Sequence, residues 1–350
     1  MKRASILLLL FTLGPALLAA SDSLRGPIPL RHIHPLLLPF HTAEAAWLPR
    51  KDAPPVWIEH SYTAGNTYML DLGYVDENFV AIVDTETYLF ATTLTLRPLP
   101  AVTTRIALNH VALAGGISDP LIEAHHEFFG LPNGGREHRP KYQSTLYMQN
   151  GDTVWVDHDG RAAALARVTV DTRVRAVTFN GPGAAVALGT EAAISLPTSD
   201  SSLVTGSGSV DTEVTAIAQL ENVPWEIYGN LGWIRYGTPQ VSRAMPLARH
   251  ALRYGVTWIW APWEVLAIQV QILGQSSPLD VDHPRLGGHM SIAGFGASFH
   301  PTPWLSMYGA FVEEFFTYAA VDVALHVGAR VEIPARTSPG TPRESEGNRR

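Results

Sequence analysis

From residue 165 to residue 333 the chain is built of segments about 12 to 15 residues long whose polarity alternates with a period of two, as strands with two unlike faces must. The clearest is 165–179. One face carries Val168, Val170, Thr172, Val174 and Ala176, and the other Arg167, Thr169, Asp171, Arg173 and Arg175. The last segment, 321–333, sets Val321, Val323, Leu325, Val327, Val331 and Ile333 against Asp322, His326, Arg330 and Glu332. Segments 183–197, 210–221, 223–236 and 248–260 repeat the pattern and place Glu191, Asp211, Glu213, Glu226 and Arg253 on polar faces, while 262–274, 289–300 and 302–315 alternate less cleanly. Strands of soluble sandwiches run to about five or six residues, whereas a tilted strand crossing a bilayer needs about 9 to 11. Length therefore selects a membrane barrel over a sandwich.

The joins between these segments test that reading independently, because outer-membrane barrels pair short periplasmic turns with longer external loops. Joins near Asn180-Gly181-Pro182, Asn222, Ala261 and Pro301 are tight, and those at 198–209, 237–247 and 275–288 are long, in strict alternation. Prolines 182, 224, 262, 301 and 303 fall at the tight ends, where a missing ladder donor does least harm. Trp225, Trp260, Trp263 and Trp304 gather at the same ends, as an interfacial aromatic girdle would. Singly, each tryptophan is equally explained by core packing. Four at one level favour the girdle.

Upstream, 79–97, 101–111 and 141–149 have strand composition and bring the count to twelve, an even number that suits a closed barrel. Segments 55–63 and 66–74 would add a hairpin and make fourteen. The expected fold is all-β: a transmembrane antiparallel up-and-down barrel of 12 strands over 55–333, with one short helix. That helix is expected near 118–130, where Ser118 can cap, Pro120 sits in the first turn and Gly130 with Pro132 supplies the stop. Leu121, Ile122, His125, Phe128 and Phe129 would share its apolar face. Strand counting puts it on the periplasmic side, as a packed connector or a partial plug of the barrel mouth. Residues 22–54, with six prolines, read as an irregular arm, and 334–350 as a polar, disordered tail.

The opening MKRASILLLLFTLGPALLAAS has a basic start, an apolar run and small residues at its exit, the layout of a cleaved secretory signal over 1–21. No later stretch is long and apolar enough to cross as a helix, so membrane residence falls to strands. The chain has no cysteine, which excludes disulfides and thiolate metal sites. A net charge of −7 argues against nucleic acid as a partner.

No catalytic or metal constellation emerges. Glu123, His125, His126 and Glu127 are grouped, but adjacent histidines point apart on a helix and the H-E-x-x-H spacing is missing. Gly206-Ser207-Gly208-Ser209 has no following lysine, so it reads as a hairpin loop rather than a phosphate cradle. No nucleophile, cofactor or metal is expected. The polar faces carry the functional expectation instead: Arg167, Asp171, Arg173, Arg175, Glu191, Asp211, Glu213, Glu226, Arg253, Asp322, His326, Arg330 and Glu332 would line one lumen, since Arg or Lys facing lipid at the midplane costs about 2 to 4 kcal/mol. They would form a polar conduit or binding cavity for small molecules, or pair among themselves and fill a closed barrel whose external loops meet a partner. A barrel enzyme acting on lipid and an exported soluble β protein are the remaining alternatives. The expected partners are outer-membrane lipid and a small solute.

Two stretches carry a family resemblance. GGISDPLIEAHHEFFGLPNGGR (115–136) and SLPTSDSSLVTGSGSVD (195–211) resemble an uncharacterised bacterial outer-membrane barrel family, a domain of unknown function similar in style to barrels found with aromatic-degradation genes. In the second stretch Thr205, Gly206, Ser207, Gly208 and Asp211 match the family's T-G-S-G-x-x-D loop, whereas Ser195 and Ser199 stand where Lys and Gly are usual. The resemblance implies location and shape more than function, since the family has no settled activity.

Overall fold

The computed structural model describes residues 26–50, 53–73, 76–130, 135–199, 204–222, 224–239, 245–315 and 322–334. The expected signal segment 1–21 and nearly all of the polar tail lie outside them. Fourteen strands form one antiparallel sheet. They are β1 (Val56–Leu72), β2 (Phe79–Leu99), β3 (Val102–Ala114), β4 (Thr145–Asn150), β5 (Thr153–Asp159), β6 (Ala162–Gly181), β7 (Ala184–Pro197), β8 (Asp211–Asn222), β9 (Trp225–Arg235), β10 (His250–Trp263), β11 (Leu266–Ser276), β12 (His289–Thr302), β13 (Leu305–Glu314) and β14 (Val323–Ile333). Each of β6 to β14 pairs with its sequence neighbour, β6 pairs with β3, β3 with β2, and β1 bonds both β2 and β14. Twelve strands thus close a cylinder in which each wall strand is paired on both sides, the arrangement that removes free sheet edges.

The expected count of twelve holds, with one exchange of membership. Residues 56–72 form a single wall strand, not a hairpin, while 145–150 is half of an accessory hairpin, β4–β5, docked on Phe79–Asp84 where β2 rises past the end of β3. This exchange also moves the helix. β3 ends at the long-loop end, so α1 (Asp119–Phe129) and the rest of 115–161 lie there and not at the tight-turn end expected from counting.

Side chains follow the alternation. In β8 and β9 the residues Val214, Leu231 and Trp233 are 63%, 56% and 53% exposed, while their chain neighbours Glu213, Thr215 and Asn230 are buried. Tight turns join β2 to β3, β6 to β7, β8 to β9, β10 to β11 and β12 to β13, all at one end. Three of them contain a register shift, between Leu96 and Leu99, Trp260 and Trp263, and Phe299 and Thr302. Pro98, Pro262 and Pro301 fall inside these irregularities, where the ladder is already interrupted and a missing N–H is tolerated.

Candidate functional site: a stoppered lumen

Residues 26–50 run inside the cylinder as a re-entrant hairpin. The chain enters at the tight-turn end, where the Ile28 N–H donates to Gln269 Oε1 (2.9 Å) and its carbonyl accepts from Gln271 Nε2 (3.1 Å). It climbs to a turn at His34–Phe40, closed by hydrogen bonds from the Leu37 and Leu38 amides to the His34 carbonyl, and descends again. Arg31 bridges back to Glu44 across the hairpin. On the way down the Leu48 N–H meets Gln219 Oε1 at 2.8 Å, and Arg50 reaches Glu226 at the tight-turn end of β9. Both legs therefore end at the same rim. The apolar residues of the stopper need room at the wall, and glycine gives it. A Cβ on Gly296 would lie 2.8 Å from Ile28 Cδ1, and one on Gly189 2.7 Å from Leu48 Cδ2.

The wall grips the stopper chiefly through its backbone. Arg167 donates to the Phe40 carbonyl, Arg253 to that of Glu44, Arg173 to that of Trp47 (3.3 Å), and Arg175 to those of Pro49 (2.8 Å) and Leu48 (3.3 Å). Carbonyls buried without such donors would be destabilising by about 1–3 kcal/mol each. The stopper also brings one buried carboxylate. Glu44 lies 2.6 Å from Arg105 and pairs with Arg31. Burial by itself would raise its carboxyl, but Arg105, Arg31 and Arg173 outweigh burial and hold it down at about 2.

The sequence-derived lumen residues divide into groups. Arg173 pairs with Glu191 and Asp171, Arg253 with Glu213, and Asp171 also reaches Arg105 at 3.5 Å, which makes one continuous ionic cluster beside the descending leg. His41 Nε2 joins it at 2.7 Å from Glu213, and the His41 N–H donates to Asp211 at 2.9 Å. Arg175 binds Glu221 at 2.8 Å, and Glu226 accepts from the Tyr228 hydroxyl. Across the lumen, Arg330 meets Glu59 at 3.0 Å and stacks over the Trp47 ring, and His326 bonds Thr63 at 2.8 Å. Two residues stand apart. Asp322 sits at the long-loop rim, paired with Arg136 at 3.0 Å, and half-buried Glu332 lies at the opposite end in register with Trp57.

Sequence reasoning missed Glu59 and Arg105, although Trp57-x-Glu59-x-Ser61-x-Thr63 and Thr103-x-Arg105-x-Ala107-x-Asn109 alternate as cleanly as the strands it used. It also missed Gln269, Gln271 and Gln275, whose alternation with Ile268, Val270 and Ile272 was present. Nothing assigned residues 26–50 to the lumen.

Towards the long-loop end the interior becomes apolar. Leu36, Leu38 and Phe40 of the stopper pack in one buried cluster with Val83, Leu113, Ile234, Leu273 and Ile292 of the wall, Trp155 of β5, and Leu279 and Leu286 of the connection after β11. His32 and His34 are buried in the same stretch; burial pushes His32 down to about 4, and burial with the neighbouring His32 pushes His34 down to about 3. The described parts of connections 198–210 and 277–288 turn inward, with Thr205, Ser207, Leu279 and Leu286 buried.

Outside, Trp225 stacks on Trp258 and Trp260, and Trp260 leans on Trp263, at centroid distances of 5.0, 5.6 and 6.4 Å; Trp263 and Trp304 are half exposed. A second ring at the long-loop end pairs Trp233 with His250, Tyr254 with His289, and Tyr62 with Tyr88. Helix α1 lies against the outer wall, not in the mouth. Ser118 at its start donates to Glu86, an outward residue of β2, and Arg136 after it bonds Asn66 (2.6 Å) and covers the Tyr68 ring. Ile122 is buried there, but Phe128 is 81% exposed, so the two do not share a buried face as the spacing suggested. The side chains of Leu121, His125 and Phe129 lie outside the described residues.

Among solved structures, the chain is similar to an outer membrane channel from Pseudomonas putida F1, with 8% identity and a TM-score of 0.51, over 82% of this chain and 97% of that one. At that identity the likeness shows the fold. Weaker likenesses are to the NanC porin (8% identity, TM-score 0.43, 79% and 100% covered) and to outer membrane phospholipase A from Escherichia coli (10% identity, TM-score 0.37, 80% and 91% covered). No curated protein matches. A family profile described as "Protein of unknown function (DUF3187)" matches residues 56–333, from the first residue of β1 to the last of β14. With its whole barrel wall inside that match, the chain belongs to this family of unknown function.

Proposed function

We propose that the protein is a non-enzymatic outer-membrane conduit for small polar solutes, kept shut by the hairpin 26–50 and opened when that hairpin withdraws. The observation that carries this reading is that both legs of the stopper leave at the tight-turn rim. It can slide out without breaking one wall ladder bond, because its contacts are with side chains of the wall. What it would leave behind is an inner face lined by Arg105, Arg167, Arg173, Arg253, Glu191 and Glu213, suited to water and polar solutes.

The outer surface supports residence in a bilayer. Trp225 and Trp233 stand eight residues apart on β9. At about 3.4 Å per residue that is about 27 Å along the strand, or about 20 Å along the axis at a tilt near 40°. Two aromatic rings at that spacing, with exposed Leu231, Leu252, Val256 and Phe295 between them, fit an apolar band of about 25 Å. The tight turns then face the periplasm.

One observation favours a second reading, a permanently sealed barrel with a structural role: the buried apolar layer around Leu36, Leu38 and Phe40. Planar-bilayer recording separates the two. The full chain should be nearly silent, and a form lacking 26–50 should show steady ohmic current. Silence from a barrel that lacks the stopper yet still shows heat-modifiable gel migration overturns the conduit.

A further inference from the structure

Helix α1 does not lie flush on the outer wall. Although Ile122 is only 5% exposed, a cavity of about 280 Å³ remains between the helix and strands β1, β13 and β14. Ile122 and His126 roof it, and Ala64, Phe311 and Leu325 form its apolar floor. These floor residues are outward members of their strands: Leu325 is 55% exposed, between inward Ala324 and His326. Leu325 stands eight residues from the tight-turn end of β14, as Trp233 does in β9. The cavity therefore opens on the apolar belt, near the long-loop aromatic ring. Its size is at the lower limit for ligand pockets, enough for part of one alkyl chain.

Three carboxylates edge it. Glu86 accepts from the Tyr88 hydroxyl and from both the hydroxyl and the N–H of Ser118. Asp322 accepts from Arg136 and from the Tyr68 N–H. Glu313, half-buried, has no hydrogen bond or ion pair among the described residues. A carboxylate held at an apolar surface without a partner is unfavourable, and a cationic donor relieves it.

We propose that this outer-wall cavity binds one chain of a membrane amphiphile with a primary-amine head, the chain on Phe311 and Leu325 and the ammonium on Glu313. Hydrogen bonds to charged groups contribute about 1.5–3 kcal/mol, which corresponds to a preference of at least about tenfold for the amine over an uncharged head. The test uses the full chain in nanodiscs of phosphatidylcholine with two photoactivatable probes, one alkyl chain ending in a primary amine and the same chain ending in a hydroxyl. Labelled peptides are mapped by mass spectrometry. The amine probe should concentrate on the peptides that carry Ile122, Phe311 and Leu325, about tenfold above the hydroxyl probe. Glu313→Gln should remove that difference. Leu325→Trp, which fills the floor, should abolish the excess labelling of both probes while heat-modifiable migration shows an intact barrel. Labelling spread evenly around the belt overturns the site. Equal labelling by the two probes in the unaltered protein overturns the choice of ligand.

Discussion

The replacement Glu44→Ala tests whether the hairpin is a stopper at all. In the closed state this carboxylate is shared between Arg105 at 2.6 Å and Arg31. Breaking one side of a buried ion pair costs about 3–5 kcal/mol, because the remaining charge is stranded. Here the lower figure applies, since Arg105 keeps Asp171 at 3.5 Å and Arg31 keeps the Asn109 side-chain Oδ1 at 2.7 Å. The withdrawn state lacks these contacts in either form, so nearly the whole loss falls on the closed state. A loss of about 3 kcal/mol raises the ratio of open to closed by about 150-fold. The absence of cysteine from the chain makes a second readout simple: in a Leu37→Cys background, the thiol at the fully buried stopper tip reacts with a soluble maleimide only on withdrawal. Open probability in planar bilayers and labelling rate should rise together. If both stay within a few-fold of the parent while the barrel remains folded, Glu44 does not hold the stopper and the energetic argument fails.

Acid should loosen the same element. His32 and His34 are held well below their ordinary value in the lumen, at about 4 and about 3, so above about pH 6.5 neither is protonated in either state, and between there and pH 4 the withdrawn arm binds more protons. Each pH unit in that window disfavours closure by up to about 1.4 kcal/mol per histidine, whereas Glu44 releases its contribution only lower, as pH falls towards about 2; maleimide labelling of Leu37→Cys between pH 7.5 and 4.5 checks the direction. Leu231→Arg, on the lipid-facing side of β9, should lower stability in vesicles by about 2–4 kcal/mol, read from denaturant titration, and no change would contradict the membrane-spanning orientation. Arg136→Ala should free the α1 segment from Asn66 and Asp322 of the wall and remove the tie from Arg136 back to Asp119 at the start of the helix, with amide exchange rising across 119–130 and 135–139 while β6 to β14 stay protected.

The wall from β6 to β14 was legible because each strand separates lipid from lumen, and that contrast writes itself into the sequence every second residue. Where the contrast is lost, so was the reading. Asn66, Tyr68, Asp84 and Glu86 point outward yet are polar or hydroxylated, since Ser118, Arg136 and Arg139 cover them. The run Thr63-Ala64-Gly65-Asn66-Thr67 therefore resembles a turn, and β1 was divided in two. Counting 145–150 as a wall strand then reversed the end assigned to α1. The stopper left no pattern for a different reason. It is anchored by the carbonyls of Phe40, Glu44, Trp47, Leu48 and Pro49, and every residue type has a carbonyl. Only the wall arginines could have suggested a guest in the lumen, and they are equally consistent with pairing among themselves.

The placement of both stopper legs at one rim also bears on assembly. The seam of the cylinder is the ladder between β1 and β14, and the segment just before β1 is the one that ends up enclosed. Because that segment is tethered only from below, the cylinder can zip shut around an empty bore and be filled afterwards, like a bottle corked after blowing. Biogenesis would then pass through a transiently leaky vessel, and the interval between closure and corking sets how long a newly inserted copy breaches the barrier it is built into.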